Sequence, residues 1–202
     1  EFVVISVPTP LTDYQPDLTY VKSAASSVGR NLKDGQVIIL ESTTYPGTTE
    51  EVLIPEIAKH SNKKAGKEYF VGYSPERIDP GNEKWKLKNT PKIISGINKE
   101  SLKKIESFYK LIIDEVVVVS SPKEAEMVKC AQNTMLASRV ALANMIYDAC
   151  QDNDIGYDRM REIAFDSFEI LGPHMVQVPG SDGKQGFGGK CLPKDIRALS
   201  ST

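Results

Sequence analysis

Five short apolar runs, most of them unbroken by polar residues, constrain the fold of this chain more than any other feature. They are FVVISV (2–7), QVIILE (36–41), YFVGY (69–73), KIISG (92–96) and EVVVVS (115–120). A strand with one wet face alternates apolar and polar side chains, whereas a strand covered on both faces is apolar throughout. Helical patterns lie between the runs, near 18–32, 48–59 and 99–112. In the last of these, Leu102, Ile105, Phe108 and Ile112 recur at spacings of three and four, behind Asn98 as a suitable N-cap. Strands alternating with helices in this way predict an α/β fold, here part of a doubly wound, Rossmann-like sheet.

The rhythm stops near residue 120. Ser121 reads as an N-cap, Pro122 as the first helical residue and Glu124 as the partner that completes a capping box. From there to about residue 152 a single helical pattern continues without Pro or Gly. Val128, Ala131, Met135, Leu142, Met145 and Ile146 give it an apolar stripe. A second helix is expected near 157–168, followed by a glycine-rich loop that reaches Lys190 and Cys191. The chain therefore divides into an α/β part, 1–120, and a helical module with a long central helix, 121–202.

Composition excludes several function classes. A net charge of -2 leaves no electrostatic footprint for nucleic acid. No apolar run approaches the roughly 18 residues that span a bilayer, so no membrane association is expected. Cys130, Cys150 and Cys191 form no CxxC pair, and His60 and His174 stand far apart, which argues against a metal site. Three widely spaced cysteines suit a reducing, cytoplasmic setting. The chain opens on Glu1 and runs directly into a strand, as a segment of a longer protein would.

The loop GFGGKCLPKD (186–195) is the densest chemical feature. Glycines let the backbone approach a ligand, and Lys190 and Lys194 favour the thiolate of Cys191. The competing reading is a small buried hydrophobe, but the flanking glycines and charges tilt the balance toward a nucleophile. The loop is no dinucleotide fingerprint, because Cys191 occupies the position of the third glycine and no strand precedes it. In KCAQN, Lys129 and Asn133 leave one helix face a turn apart. Together they could hold a developing oxyanion, although spacing alone favours a solvated surface pair. Three further segments follow strands: SVPTP (6–10), ESTTYPGTT (41–49) with Thr43, and GYSPERIDPGN (72–82) with Glu76. Loops at the carboxyl ends of parallel strands are where open α/β sheets bind ligands.

These motifs, in this order over nearly the whole chain, resemble the UDP-glucose/GDP-mannose dehydrogenase family, whose members oxidise the C6 alcohol of a nucleotide sugar to a carboxylate with two NAD. The resemblance implies that Cys191 captures the aldehyde as a thiohemiacetal, which a second oxidation turns into a thioester. It implies that Lys129 and Asn133 stabilise oxyanions, and that Glu76, Asp195 and Thr43 hold and activate water, with Glu76 as the base. By the same resemblance Val7, Pro8, Thr43 and Glu76 meet the NAD cofactor. Arg77, Ile78, Lys129, Asn133, Phe187 and Gly188 meet the UDP-sugar substrate. A homodimer through the helix at 121–152 is expected. Two departures stand out: the chain contains neither the GxGxxG turn of the family nor its C-terminal nucleotide-sugar domain. The chain is thus expected to be the middle of an enzyme and, alone, inactive.

The substrate motifs divide. ESTTYPGTTEE and SPERIDPGN resemble the branch acting on UDP-N-acetylhexosamines, whereas Lys194 before Asp195 resembles the UDP-glucose branch. Weighting the cysteine loop most, the sequence puts UDP-glucose narrowly ahead. Two other classes compete: a non-catalytic α/β dimerisation fragment, and a cysteine hydrolase, for which His174 is the only nearby partner in sequence.

Overall fold

The computed structural model describes residues 1–78, 81, 83–166, 185 and 193–194; for 165 and 166 it describes the backbone alone. Packing divides the chain into two units, whose described parts lie within Glu1–Cys130 and Ala131–Ile196.

The first unit is built on a parallel sheet. Strands β1 (Phe2–Ile5), β4 (Val37–Leu40) and β5 (Phe70–Tyr73) pair in the order β1-β4-β5, with Phe2 opposite Val37 and Leu40 opposite Tyr73. A second parallel pair, β6 (Lys92–Ile94) with β7 (Val116–Val118), joins the first through its backbone. Ser95 N–H donates to Tyr73 O and Ile97 N–H to Val71 O, each at 3.0 Å. This junction explains Gly72, since a Cβ there would stand 2.0 Å from Ser95 O.

The unbroken apolar run VIIL of β4 is explained by the two cores it serves. Ile38 and Leu40 face one cluster, with Val21 and Ala25 of α1 (Thr19–Arg30), Leu53, and Ile57 of α2 (Ile54–Ala58). Val37 and Ile39 face the other, with Ile105 and Tyr109 of α3 (Lys99–Tyr109). Side chains alternate across a strand, so a central strand between two helical layers has no wet position. The outer strands differ: Phe2 and Val4 of β1 and Val117 and Val118 of β7 are exposed, because partners cover these strands less completely. Phe2 is still stacked on Phe108, ring centroids 4.6 Å apart.

Local chemistry sets the helix ends. The Asn98 side chain accepts from Ser101 N–H at 2.8 Å and caps α3. Helix α4 runs Pro122–Asp152. The Ser121 hydroxyl accepts from Glu124 N–H at 3.2 Å, as the capping box predicts, but Glu124 closes the box one residue early, on the N–H of Ser120 at 2.6 Å. Sequence reasoning missed a small hairpin, β2 (Leu11–Thr12) with β3 (Gln15–Pro16). Its turn residues Asp13 and Tyr14 both take positive φ, 51° and 63°, without the glycine that usually announces such a turn.

In the second unit, the described residues are the remainder of α4, α5 (Tyr157–Arg161) and a π-helical segment, Glu162–Asp166. Ala143, Cys150 and Tyr157 form a small buried cluster, with Tyr147 set edge-on to Tyr157. No helix among the described residues is long and apolar enough to cross a membrane.

Candidate active site

Three loops leave the carboxyl ends of β1, β4 and β5 within the first unit, and hydrogen bonds tie them together. Val7 N–H lies 2.8 Å from Ser42 Oγ, which lies 2.8 Å from Val7 O, and the Thr9 hydroxyl donates to Thr43 O at 2.8 Å. Thr9 and Ser42 are buried, Val7 and Thr43 half-buried, and Pro8 exposed. The loop carrying Val7 and Pro8 is thereby held against the loop carrying Thr43.

The loops after β4 and β5 meet through a buried cation. Lys92, the first residue of β6, places Nζ 2.8 Å from Glu41 Oε1 and 3.1 Å from Glu76 Oε2. The Tyr109 hydroxyl donates to Glu41 at 2.5 Å, and burial together with Glu41 raises the Tyr109 pKa. Glu76 also accepts from the N–H groups of Arg77 at 2.7 Å and Ile78 at 2.6 Å. The Arg77 guanidinium donates to Pro91 O at 3.0 Å, so the loop is anchored from both ends. A cavity beside the cluster is lined by Val4, Glu41, Glu76, Lys92, Phe108 and Ile113, among others.

Helix α4 reaches the Thr43 loop through its first turns. The fully buried Glu126 carboxylate accepts from Gly47 N–H at 2.5 Å, Thr49 N–H at 2.8 Å and the Thr49 hydroxyl at 2.6 Å. These donors open the π-helical turn Thr49–Leu53, whose N-terminal N–H groups would otherwise be unsatisfied. Burial pushes the Glu126 carboxyl up to about 7 against the pull of these donors. One turn on, Cys130 Sγ donates to Thr44 O at 3.3 Å. Half-buried Lys129 lies between these two anchors in the chain.

The structure therefore ties the segments carrying Val7, Pro8, Thr43, Glu76, Arg77, Ile78 and Lys129 into one unit. Asn133, 8% exposed, belongs to the second unit. Lys194 is half-buried in a short helical turn. His174, Phe187, Gly188, Lys190, Cys191 and Asp195 lie outside the described residues. Sequence reasoning missed Glu41, Lys92 and Glu126. Two signals were present: a lysine opening an otherwise apolar run, and an acid four residues from Pro122 and from Cys130 on the buried face of α4. Among the described residues, no group of three or more His, Cys, Asp or Glu is placed to hold a metal ion.

A parallel sheet with helices on both faces and a polar crest at the strands' carboxyl ends defines the class, a Rossmann-like dehydrogenase fold. Residues 1–113 match the NAD binding domain of the UDP-glucose/GDP-mannose dehydrogenase family, and residues 123–202 match its central domain. The chain belongs to this family.

The UDP-N-acetyl-D-glucosamine 6-dehydrogenase of Pseudomonas aeruginosa is 40% identical over 143 residues, 70% of this chain and 34% of the relative. The structure of a UDP-D-ManNAc dehydrogenase from Pyrococcus horikoshii superposes with a TM-score of 0.87 at 29% identity, covering 100% of this chain and 46% of that one. A UDP-glucose dehydrogenase from Pyrobaculum islandicum superposes with a TM-score of 0.81 at 29% identity, covering 98% of this chain and 45% of that one. The chain thus spans from a third to just under half the length of these proteins.

Proposed function

We propose that this chain carries the catalytic middle of a nucleotide-sugar 6-dehydrogenase that oxidises the C6 alcohol of a UDP-sugar to the carboxylate. One observation supports the reading most: Ser42, Thr9, Lys92, Glu126 and Cys130 lock the loops of Val7, Thr43 and Glu76 and the Lys129 turn into a single unit. The half-buried, uncharged surfaces of Val7 and Thr43 at the carboxyl edge of the sheet suit a nicotinamide ring and ribose hydroxyls. NAD, when bound, accepts a hydride in each of the two oxidation steps.

The chain's residues do the rest. Lys129 and Asn133 stabilise the oxyanions at C6, one as a cation and one as a neutral donor. Cys191, as thiolate, attacks the aldehyde carbon to give the thiohemiacetal, and the second oxidation leaves a thioester. Glu76 takes a proton from the water that cleaves the thioester and returns the thiolate, and the family resemblance assigns Thr43 and Asp195 to holding that water. The same resemblance assigns sugar binding to Arg77, Ile78, Phe187 and Gly188.

UDP-N-acetylhexosamines are the substrate class we favour. The named relatives and the ESTTYPGTTEE and SPERIDPGN segments support it. UDP-glucose is the second reading, on the strength of Lys194. NADH formation by the natural protein containing these residues, against a panel of UDP-sugars and GDP-mannose, separates them. In the same assay Lys129→Ala should lower turnover roughly 10²–10³-fold, and survival of activity within a few fold would remove Lys129 from the oxyanion site.

The protein works as a homodimer in this reading, in a cytoplasmic setting. On α4 in the second unit, Met135, Leu142 and Met145 are 56%, 56% and 68% exposed. With Ala131 and Ala149 they line one helix face, distinct from the face of Ala143 and Cys150, as a helix between its own unit and a second copy would.

A further inference from the structure

Lys92 opens β6, where an apolar residue would continue the strand's pattern, and its side chain is only 6% exposed. A buried ammonium is retained only where paired charges and hydrogen bonds compensate its desolvation. Here two carboxylates share it, Glu41 at 2.8 Å and Glu76 at 3.1 Å, and the Tyr109 ring lies 5.3 Å from Nζ. The two carboxylates are not equivalent. The Glu41 side chain is 16% exposed and also receives the Tyr109 hydroxyl, whereas the Glu76 side chain is 43% exposed. Glu76 Oε1 takes two N–H donors from its own loop, and Oε2 takes Lys92. The carboxylate is thus gripped from behind and open in front.

We propose that Lys92 is a positioning residue for Glu76: held in place by Glu41 and Tyr109, it aims and charge-balances the carboxylate that serves as base. The inference rests on the role given to Glu76 above. The groups facing Glu76 are Lys92 from β6, Glu41 from the end of β4, Tyr109 from α3, and Arg77 in its own loop, whose guanidinium is turned to Pro91 O. Burial raises the Glu76 pKa, but the Ile78 N–H, Lys92 and the Arg77 N–H outweigh it, and the net shift is downward. Removing Lys92 leaves burial opposed by the N–H donors alone and moves the carboxyl up. Removing the charge of Glu41 leaves Lys92 to Glu76 alone and moves it down. Opposite shifts of the acidic limb are expected only if the base that titrates there is the carboxylate that Lys92 and Glu41 both face.

The test is the pH dependence of the hydrolytic half-reaction in the natural protein, followed by intact mass as loss of the covalent sugar adduct. Lys92→Met should move the acidic limb upward by about one pH unit, and Glu41→Gln, which keeps an acceptor for Tyr109, should move it downward. Lys92→Arg should restore the wild-type limb, and KM for NAD should stay within about twofold in all three. An unmoved limb in folded Lys92→Met, or limbs moving in the same direction in Lys92→Met and Glu41→Gln, overturns the proposal. If Lys92→Met does not fold, the Glu41→Gln limb decides alone: a downward shift supports the proposal, and no shift or an upward one overturns it. Glu76→Gln separates the two ideas. Adduct loss that is undiminished in that variant removes Glu76 as base, whatever Lys92 does.

Discussion

The two units handle polar and apolar groups in opposite ways. In the first, a sheet covered on both faces encloses charged side chains that α/β cores normally exclude: Lys92 at 5% exposure and Glu126 at 0%. Each has neighbours that supply its hydrogen bonds, from strands, loops and helix turns fixed by the apolar clusters around them. In the second, the described core is small, and Met135, Leu142 and Met145 stay on the surface. A rigid two-sided core can hold charges at its crest because it fixes their partners. A long helix apolar on two faces buries one of them in its own unit and leaves the other exposed, the face on which the proposed dimer rests.

The hardest test of this division uses the three cysteines. Cys130 is buried in the first unit and Cys150 in the second, so serine at either should cost stability while turnover stays within a few fold. Cys191→Ser, in the glycine-rich loop, should lower turnover by roughly three orders of magnitude or more while NAD and UDP-sugar still bind. Steady-state rates of the three variants at saturating substrate provide the check. Near wild-type turnover in Cys191→Ser would sink the covalent mechanism.

Next in size is the buried acid of the first unit. Glu126→Ala strands Gly47 N–H, Thr49 N–H and the Thr49 hydroxyl, and should cost about 3 kcal/mol in a denaturant titration. The pH dependence has a definite sign. The folded carboxyl titrates at about 7 instead of 4.5, so this group's contribution is fully present below about 4.5 and is lost as pH rises through about 7. Glu126→Gln cannot ionise and should flatten the stability profile in that window. An unchanged profile would mean that Glu126 is not the group titrating there.

The exposed face of α4 predicts the opposite pattern, a change in assembly without a change in fold. Met145→Glu should weaken the dimer about tenfold or more in sedimentation equilibrium, with less than about 1 kcal/mol lost from the folded unit. A natural protein that sediments as a monomer at micromolar concentration would remove the dimer reading altogether. The smallest effect belongs to the rim of the first unit. Lys33 and Glu1 pair at 3.0 Å with side chains 71% and 56% exposed, so Lys33→Ala should change stability by no more than about 0.5 kcal/mol. A larger loss in thermal unfolding would show that surface ion pairs, and not only the buried cluster, sustain the sheet.

Much of the architecture was legible in the residues because it depends on short-range pattern. The run VIIL announced a strand covered on both faces, Asn98 and Ser121 announced helix starts, and the Pro-free stretch after them announced α4. The turn at Asp13 and Tyr14 was not legible, since both residues adopt positive φ without glycine. In the site, the motif residues could be named from their loops, but their supports could not. Nothing in the residues flanking Lys92 or Glu126 names the groups each meets in space.

What the sequence determined by itself was the alternation of elements, the family motifs and the residue types available for thiolate, oxyanion and base chemistry. All of these are set by neighbours within a few positions along the chain. Only the tertiary structure decided that Lys92 bridges Glu41 and Glu76, and that Glu126 caps a turn 77 residues before it. The physical reason is that a charge's position and protonation depend on the groups within a few ångströms of it in space. Those groups arrive from strands and helices that folding alone brings together.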